Sequence, residues 1–83
     1  MDRQEIFERA RTVMARVFNV PADSIIETTR AVDVKGWDSL THLIVLTGIE
    51  KKFDVELPMD KAHSAQNVGD LVTLIGETLA SQQ

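Results

Sequence analysis

Asp38-Ser39-Leu40-Thr41-His42-Leu43-Ile44-Val45-Leu46-Thr47-Gly48-Ile49-Glu50-Lys51-Lys52-Phe53 is the stretch whose reading decides the fold. Asp38 is a residue type that caps helix N-termini. Behind it, Leu40, Leu43, Ile44, Val45, Leu46, Ile49 and Phe53 recur at helical spacing and do not alternate. The segment is predicted as a helix over 39–53. It is apolar over more than half its circumference, more than one core-facing stripe can use. Leu46, Ile49 and Phe53, with Val45, are assigned to the core. Leu40, Leu43 and Ile44 are left over, and such an apolar patch is a candidate binding surface.

Upstream, Ile6, Ala10, Val13, Met14, Val17 and Phe18 form one apolar face, which predicts a helix over 3–18. Asp2 is its expected N-cap, with Glu5 three residues on, and Asn19 and Pro21 end it. A long connection over 19–37 follows, in which Ile25, Ile26, Val32 and Val34 are expected to anchor to the core. A single helical turn is expected at 23–26. Loops this long in small proteins are often functional. Downstream, Pro58 closes the unit that begins at Phe53, and a short helix is expected over 59–64. Asn67 is a fresh N-cap with Asp70 in a partial capping box. Val68, Leu71, Val72, Ile75 and Leu79 predict a last helix over 68–80, with Ser81-Gln82-Gln83 a frayed end. The sum is all-α: a small four-helix bundle of three main helices and one short one, with a long first loop, in a single domain over 1–83.

The bulk numbers narrow the classes. Hydrophobic residues make up 43% and charged residues 27%, values of a globular chain. The net charge is −4, and the short basic runs, Arg9 and Arg11 with Arg16 and the pair Lys51-Lys52, sit among acids, so no nucleic-acid partner is expected. There is no cysteine, which excludes disulfides and thiolate catalysis by the chain itself. Met1-Asp2-Arg3-Gln4-Glu5 lacks the apolar run of a signal peptide, and no stretch is long enough to cross a bilayer. A cytoplasmic monomer with no membrane insertion is expected.

Ser39 is the one suggestive nucleophile. His42, three residues on, and Asp38 beside it raise a hydrolase reading, but Asp38 cannot easily orient His42 from its place on the helix. His42 is read instead as a solvated or partner-facing residue, and no catalytic residue is assigned. His42 and His63, the only histidines, lie on different elements, and Asp54, Glu56 and Asp60 lack the spacing of a calcium loop, so no metal site is expected. On physical grounds Ser39 is either a helix cap or an exposed hydroxyl where a helix N-terminus favours a bound anion.

Gly36-Trp37-Asp38-Ser39-Leu40 resembles the Gly-x-Asp-Ser-Leu signature of acyl and peptidyl carrier proteins. Val20-Pro21-Ala22-Asp23-Ser24-Ile25, Ile49 through Pro58, and Asn67-Val68-Gly69-Asp70-Leu71 resemble the family's other landmarks at matching distances, so the likeness spans essentially the whole chain. It implies a carrier, not an enzyme. A phosphopantetheinyl transferase would use coenzyme A and magnesium to place 4′-phosphopantetheine on Ser39, with Asp38 part of the motif that the transferase recognises. The arm would hold an acyl or aminoacyl group as a thioester, loaded by a ligase and passed to a downstream transferase. Partners would read the helix that starts at Ser39, through Trp37, Leu40, Thr41, His42, Leu43, Ile44 and Glu50. Fatty-acid carriers usually carry acids where this chain has Thr41 and Ile44, and of the later acidic run only Glu50 remains, followed by Lys51 and Lys52. A partner that reads an acidic stripe should bind poorly. The expectation is a carrier in a specialised pathway; the alternatives are the general fatty-acid carrier and, from another class, an unmodified helical interaction module.

Overall fold

Four α-helices and two single 3₁₀ turns make up the structure, a computed structural model that describes residues 1–81. Gln82 and Gln83 of the expected frayed end lie outside the described residues, and Ser81 is the last residue of the final helix. The helices are α1 (Arg3–Phe18), α2 (Ser39–Phe53), α3 (Met59–Ser64) and α4 (Val68–Ser81). The four-helix, all-α expectation holds.

Each long helix starts where a side chain can take up its free amides. Asp2 accepts from the Glu5 amide at 2.8 Å, and Asn67 accepts from the Asp70 amide at 2.7 Å. The Asp70 carboxylate reaches back to the Gln66 amide at 3.1 Å. At their C-termini α1 and α2 turn out through left-handed residues, Asn19 (φ 57°) and Asp54 (φ 55°), whose amides close onto the last turn.

α1 packs against both α2 and α4. Met14 of α1, Leu46 and Ile49 of α2, and Leu71 and Ile75 of α4 are fully buried and form the centre of the core. Val45 and Phe53 join them, as expected, and so does Phe7, which the helical pattern of α1 had not selected. Burial of each such side chain is worth about 1.5–3 kcal/mol. Gly48 faces α1 so closely that a β-carbon there would stand 2.7 Å from Val13 Cγ1. Its small size is therefore a packing requirement between the helices.

The long connection departs from expectation. Its helical turn is Ala22–Ser24, and a second occurs at Ala31–Asp33. Ile25 is buried and Val34 half-buried, but Ile26 and Val32 are 55% and 82% exposed and anchor nothing. Polar contacts hold the middle of the loop instead. The Val68 and Gly69 amides donate to the carbonyls of Thr29 and Glu27, at 2.9 and 2.8 Å, so the loop satisfies the start of α4. Arg3 at the head of α1 binds Glu27 in the loop at 2.6 Å and Thr73 of α4 at 2.9 Å. The loop is thus stapled to α1 and α4, and its last residues deliver the chain to the start of α2.

Candidate functional site

The start of α2 is built by Asp38. Its carboxylate oxygen accepts from the Leu40 and Thr41 amides, both at 3.0 Å, and the Thr41 hydroxyl accepts from the Asp38 amide at 2.8 Å. The two residues form a reciprocal capping box. Thr41 also donates its hydroxyl to the Gly36 carbonyl, which fixes the approach of the chain. Gly36 takes φ +98°, a conformation that a side chain would oppose. The Asp38 carboxyl is held below its ordinary range, chiefly by the hydrogen bond from the Thr41 amide, against a smaller opposing effect of burial.

With Asp38 as the cap, Ser39 is released from that role. It is exposed at the first position of α2. The chain has serines at 24, 39, 64 and 81, and the hydroxyls of Ser24, Ser64 and Ser81 all donate to backbone carbonyls. Among the described residues no such hydrogen bond engages the hydroxyl of Ser39, which stands on the rim of a cleft of about 370 Å³. Trp37, His42 and Leu43 line one side of that cleft, and His63, Ala65 and Ala31 complete it. His63 and Ala65 come from α3 and its C-terminal cap, and Ala31 from the second turn of the long connection. No motif in their own segments marks them, and only the packing of the chain brings them to Ser39.

Trp37 and His42 differ from their expected roles. Both are only 8% exposed, so neither is a partner-facing surface residue. The indole Nε1–H donates to His42 Nδ1 at 3.0 Å. Because an indole nitrogen can only donate, the imidazole carries its proton on Nε2, which donates to the Ala62 carbonyl at 2.9 Å. The chain Trp37–His42–Ala62 ties the approach loop, α2 and α3 together. The Trp37 ring also stacks on Phe18 at the end of α1, with centroids 5.2 Å apart. Both nitrogens of His42 are therefore spent on structure, and the serine–histidine–acid reading has no base to call on. Glu50 is half-buried, and it accepts from the Leu57 amide at 2.9 Å and braces the connection to α3. Thr41 is half-buried and occupied in the cap.

Leu40, Leu43 and Ile44 are 67%, 45% and 49% exposed, in keeping with their exclusion from the core. They do not form one patch. Leu43 borders the Ser39 cleft, whereas Ile44 points into a separate groove between α1 and α2. Among the described residues no group of three or more histidine or acidic side chains is placed to hold a metal ion. No helix among them is long and apolar enough to cross a membrane.

The molecule is thus a helical bundle that presents an exposed serine at a helix start beside a cleft. Residues 8–75 match the family model of the phosphopantetheine attachment site. The chain is 31% identical to an acyl carrier protein of Phenylobacterium zucineum over 77 residues, covering 93% of this chain and 98% of that one. It is 33% identical to one of Caulobacter vibrioides over 76 residues, covering 92% and 97%. The solution structure of a holo acyl carrier protein from Geobacter metallireducens superposes with a TM-score of 0.80 at 25% identity, covering 92% of this chain and 87% of that one. The chain belongs to the acyl carrier protein family, whose members are carriers and not enzymes and bear covalent 4′-phosphopantetheine. Membership also removes the reading as an unmodified interaction module. It implies dealings with a phosphopantetheinyl transferase and with acyl-handling enzymes.

Proposed function

We propose that Ser39 is the attachment point of the phosphopantetheine arm, and that the protein carries an acyl or aminoacyl group for a specialised pathway. The observation that carries the assignment is the Ser39 hydroxyl, exposed on the cleft rim while the chain's other serine hydroxyls are bonded to backbone. When bound, the arm supplies the thiol that the chain lacks and holds cargo as a thioester. The residues around it do the positioning. Asp38 takes up the Leu40 and Thr41 amides, so the helix begins at Ser39, which is left exposed beside the cleft. Trp37 and His42 form a rigid wall of the cleft, and Leu43 offers apolar surface beside it. A ligase that loads cargo and a transferase that removes it would dock on Leu40 and Leu43. A cytoplasmic setting suits a cysteine-free chain.

The choice of a specialised pathway over general fatty-acid synthesis rests on the charge of α2. Thr41 and Ile44 stand where fatty-acid carriers usually place acids, and Glu50 is turned inward to Leu57. Partners that steer by negative charge find little of it on this helix.

Incubation with coenzyme A, magnesium and a broad-specificity phosphopantetheinyl transferase, followed by intact mass, tests the site. One phosphopantetheine addition is expected, and none in Ser39→Ala. No addition under conditions that modify a control carrier, or an addition that survives in Ser39→Ala, overturns the assignment. An acyl-carrier synthetase offered long-chain fatty acids tests the pathway: efficient acylation of the loaded protein would favour the general carrier.

A further inference from the structure

The groove that receives Ile44 lies between α1 and α2 and encloses about 410 Å³. Val13 and Val17 of α1 face Ile44 of α2 across it, and the close approach of Gly48 to Val13 forms its floor. Arg16, Lys51 and Lys52 stand around this apolar floor, all three exposed, and no acidic residue lines it. That is a marked departure for a chain with 13 acids against 9 bases.

Three of the five basic residues that form no ion pair among the described residues gather here, and the other two, Lys35 and Lys61, stand elsewhere on the surface. Arg3, Arg9, Arg11 and Arg30 are each paired with a carboxylate. Among the described residues, Arg16, Lys51 and Lys52 form no ion pair. Glu50, the acid beside the two lysines, is committed to the Leu57 amide. Lysines in a last helical turn offset the negative end of the helix dipole, which accounts for Lys51 and Lys52 as residue types. It accounts neither for Arg16 on the facing helix nor for the half-exposed Ile44 between the cations.

We propose that this groove is a second docking surface, which takes an acidic amphipathic helix of a partner protein. An apolar side chain of that helix would seat on Val13, Val17 and Ile44, and its flanking carboxylates would meet Arg16, Lys51 and Lys52. The apolar floor with a cationic rim selects that chemistry, because carboxylates bring complementary charge and an anchor residue covers exposed Ile44. The groove is lined by about two turns of each of α1 and α2, which suits a helix laid into it. Ile44 stands 5 residues and Lys51 and Lys52 12 and 13 residues beyond Ser39 on one helix, roughly 8 to 20 Å along its axis. The groove and the Ser39 cleft have no lining residue in common, so the proposal stands whether or not Ser39 carries an arm.

The test is a titration of the isotopically labelled full chain, followed by amide NMR. The probe is a synthetic amphipathic helix with a leucine stripe flanked by glutamates, and the control is the same peptide with lysine for each glutamate. Saturable shifts at Val13, Val17, Ile44, Gly48 and Lys52 are expected for the acidic peptide alone, weakening as salt is raised from about 0.05 M to about 0.5 M. Combined Arg16→Gln, Lys51→Gln and Lys52→Gln substitution should weaken binding at least about tenfold with unchanged helical circular dichroism. Ile44→Ser is a second, separately folding check on the floor. Equal binding of the basic peptide, shifts centred on Leu40 and Leu43, no saturation by either peptide, or sedimentation with anionic phosphatidylglycerol vesicles that the acidic peptide does not compete away would each overturn the proposal.

Discussion

At the scale of single residues, the environment of Ser39 is made by neighbours with no freedom to do anything else. His42 is the clearest case. Replacing it with leucine leaves the Trp37 Nε1–H buried without an acceptor and frees the Ala62 carbonyl, so the loss should be about 1–3 kcal/mol by urea unfolding. Trp37→Phe combined with His42→Leu should cost less than the sum of the two, because each single change strands the other's partner. Additive losses would show that the pair is not coupled. Asp38 gives a pH dependence. Its carboxyl titrates below the ordinary value in the folded chain, so the stability it contributes is present above the unfolded carboxylate range and is lost as pH falls through the folded value. Asp33, held down first by the hydrogen bond from the Arg30 side chain, acts in the same direction. The stability difference between the wild-type chain and Asp38→Asn, measured by urea unfolding at several pH values, should be largest near neutrality and shrink in acid.

At the scale of elements, α2 serves three purposes on three sides: core through Val45, Leu46 and Ile49, the Ser39 cleft through His42 and Leu43, and the cationic groove through Ile44, Lys51 and Lys52. Gly48 sits where this helix is pressed against α1. Gly48→Ala gains about 1 kcal/mol of helix propensity, but it drives a methyl group against the stiff Val13 side chain, an overpacking of about 1–3 kcal/mol. A net destabilisation on the order of 1 kcal/mol is expected in thermal or urea unfolding. A gain in stability would mean that the helices can separate there without penalty. The helices were legible in the sequence because their caps and their 3.6-residue period are local properties. Asp2, Asp38 and Asn67 announce helix starts in their own side-chain chemistry. The loop anchors were not legible, because Val32 and Ile26 carry the same apolar label as Ile25, and only the path of the chain decides which of them turns inward.

At the scale of the whole molecule, an 83-residue chain holds its fold with one core shared by α1, α2 and α4. Truncating its centre is therefore severe. Leu46→Ala should remove about 2–5 kcal/mol, out of a total of about 5–15 kcal/mol common for natural proteins, and should show as a marked fall in the denaturation midpoint. The apolar excess of α2 was visible in its composition, but its division was not. Leu43 and Ile44 are neighbours in sequence that open onto different surfaces, because one residue is about 100° of helical rotation. His42 was misread for a related reason: a lone histidine near a serine suggests solvent or chemistry, and its two partners, five and twenty residues away, emerge only when the helices pack.

Trp37 is the only tryptophan, and the chain has no tyrosine. The protein's intrinsic ultraviolet emission thus originates from one indole, stacked on Phe18 and hydrogen-bonded at its edge to the His42 imidazole, at the wall of the Ser39 cleft. A single optical reporter therefore stands beside the proposed attachment point of the arm. Attachment of a prosthetic group, exchange of its load, or the grip of an enzyme on the cleft can be followed in real time by the colour and lifetime of that emission, with no label added.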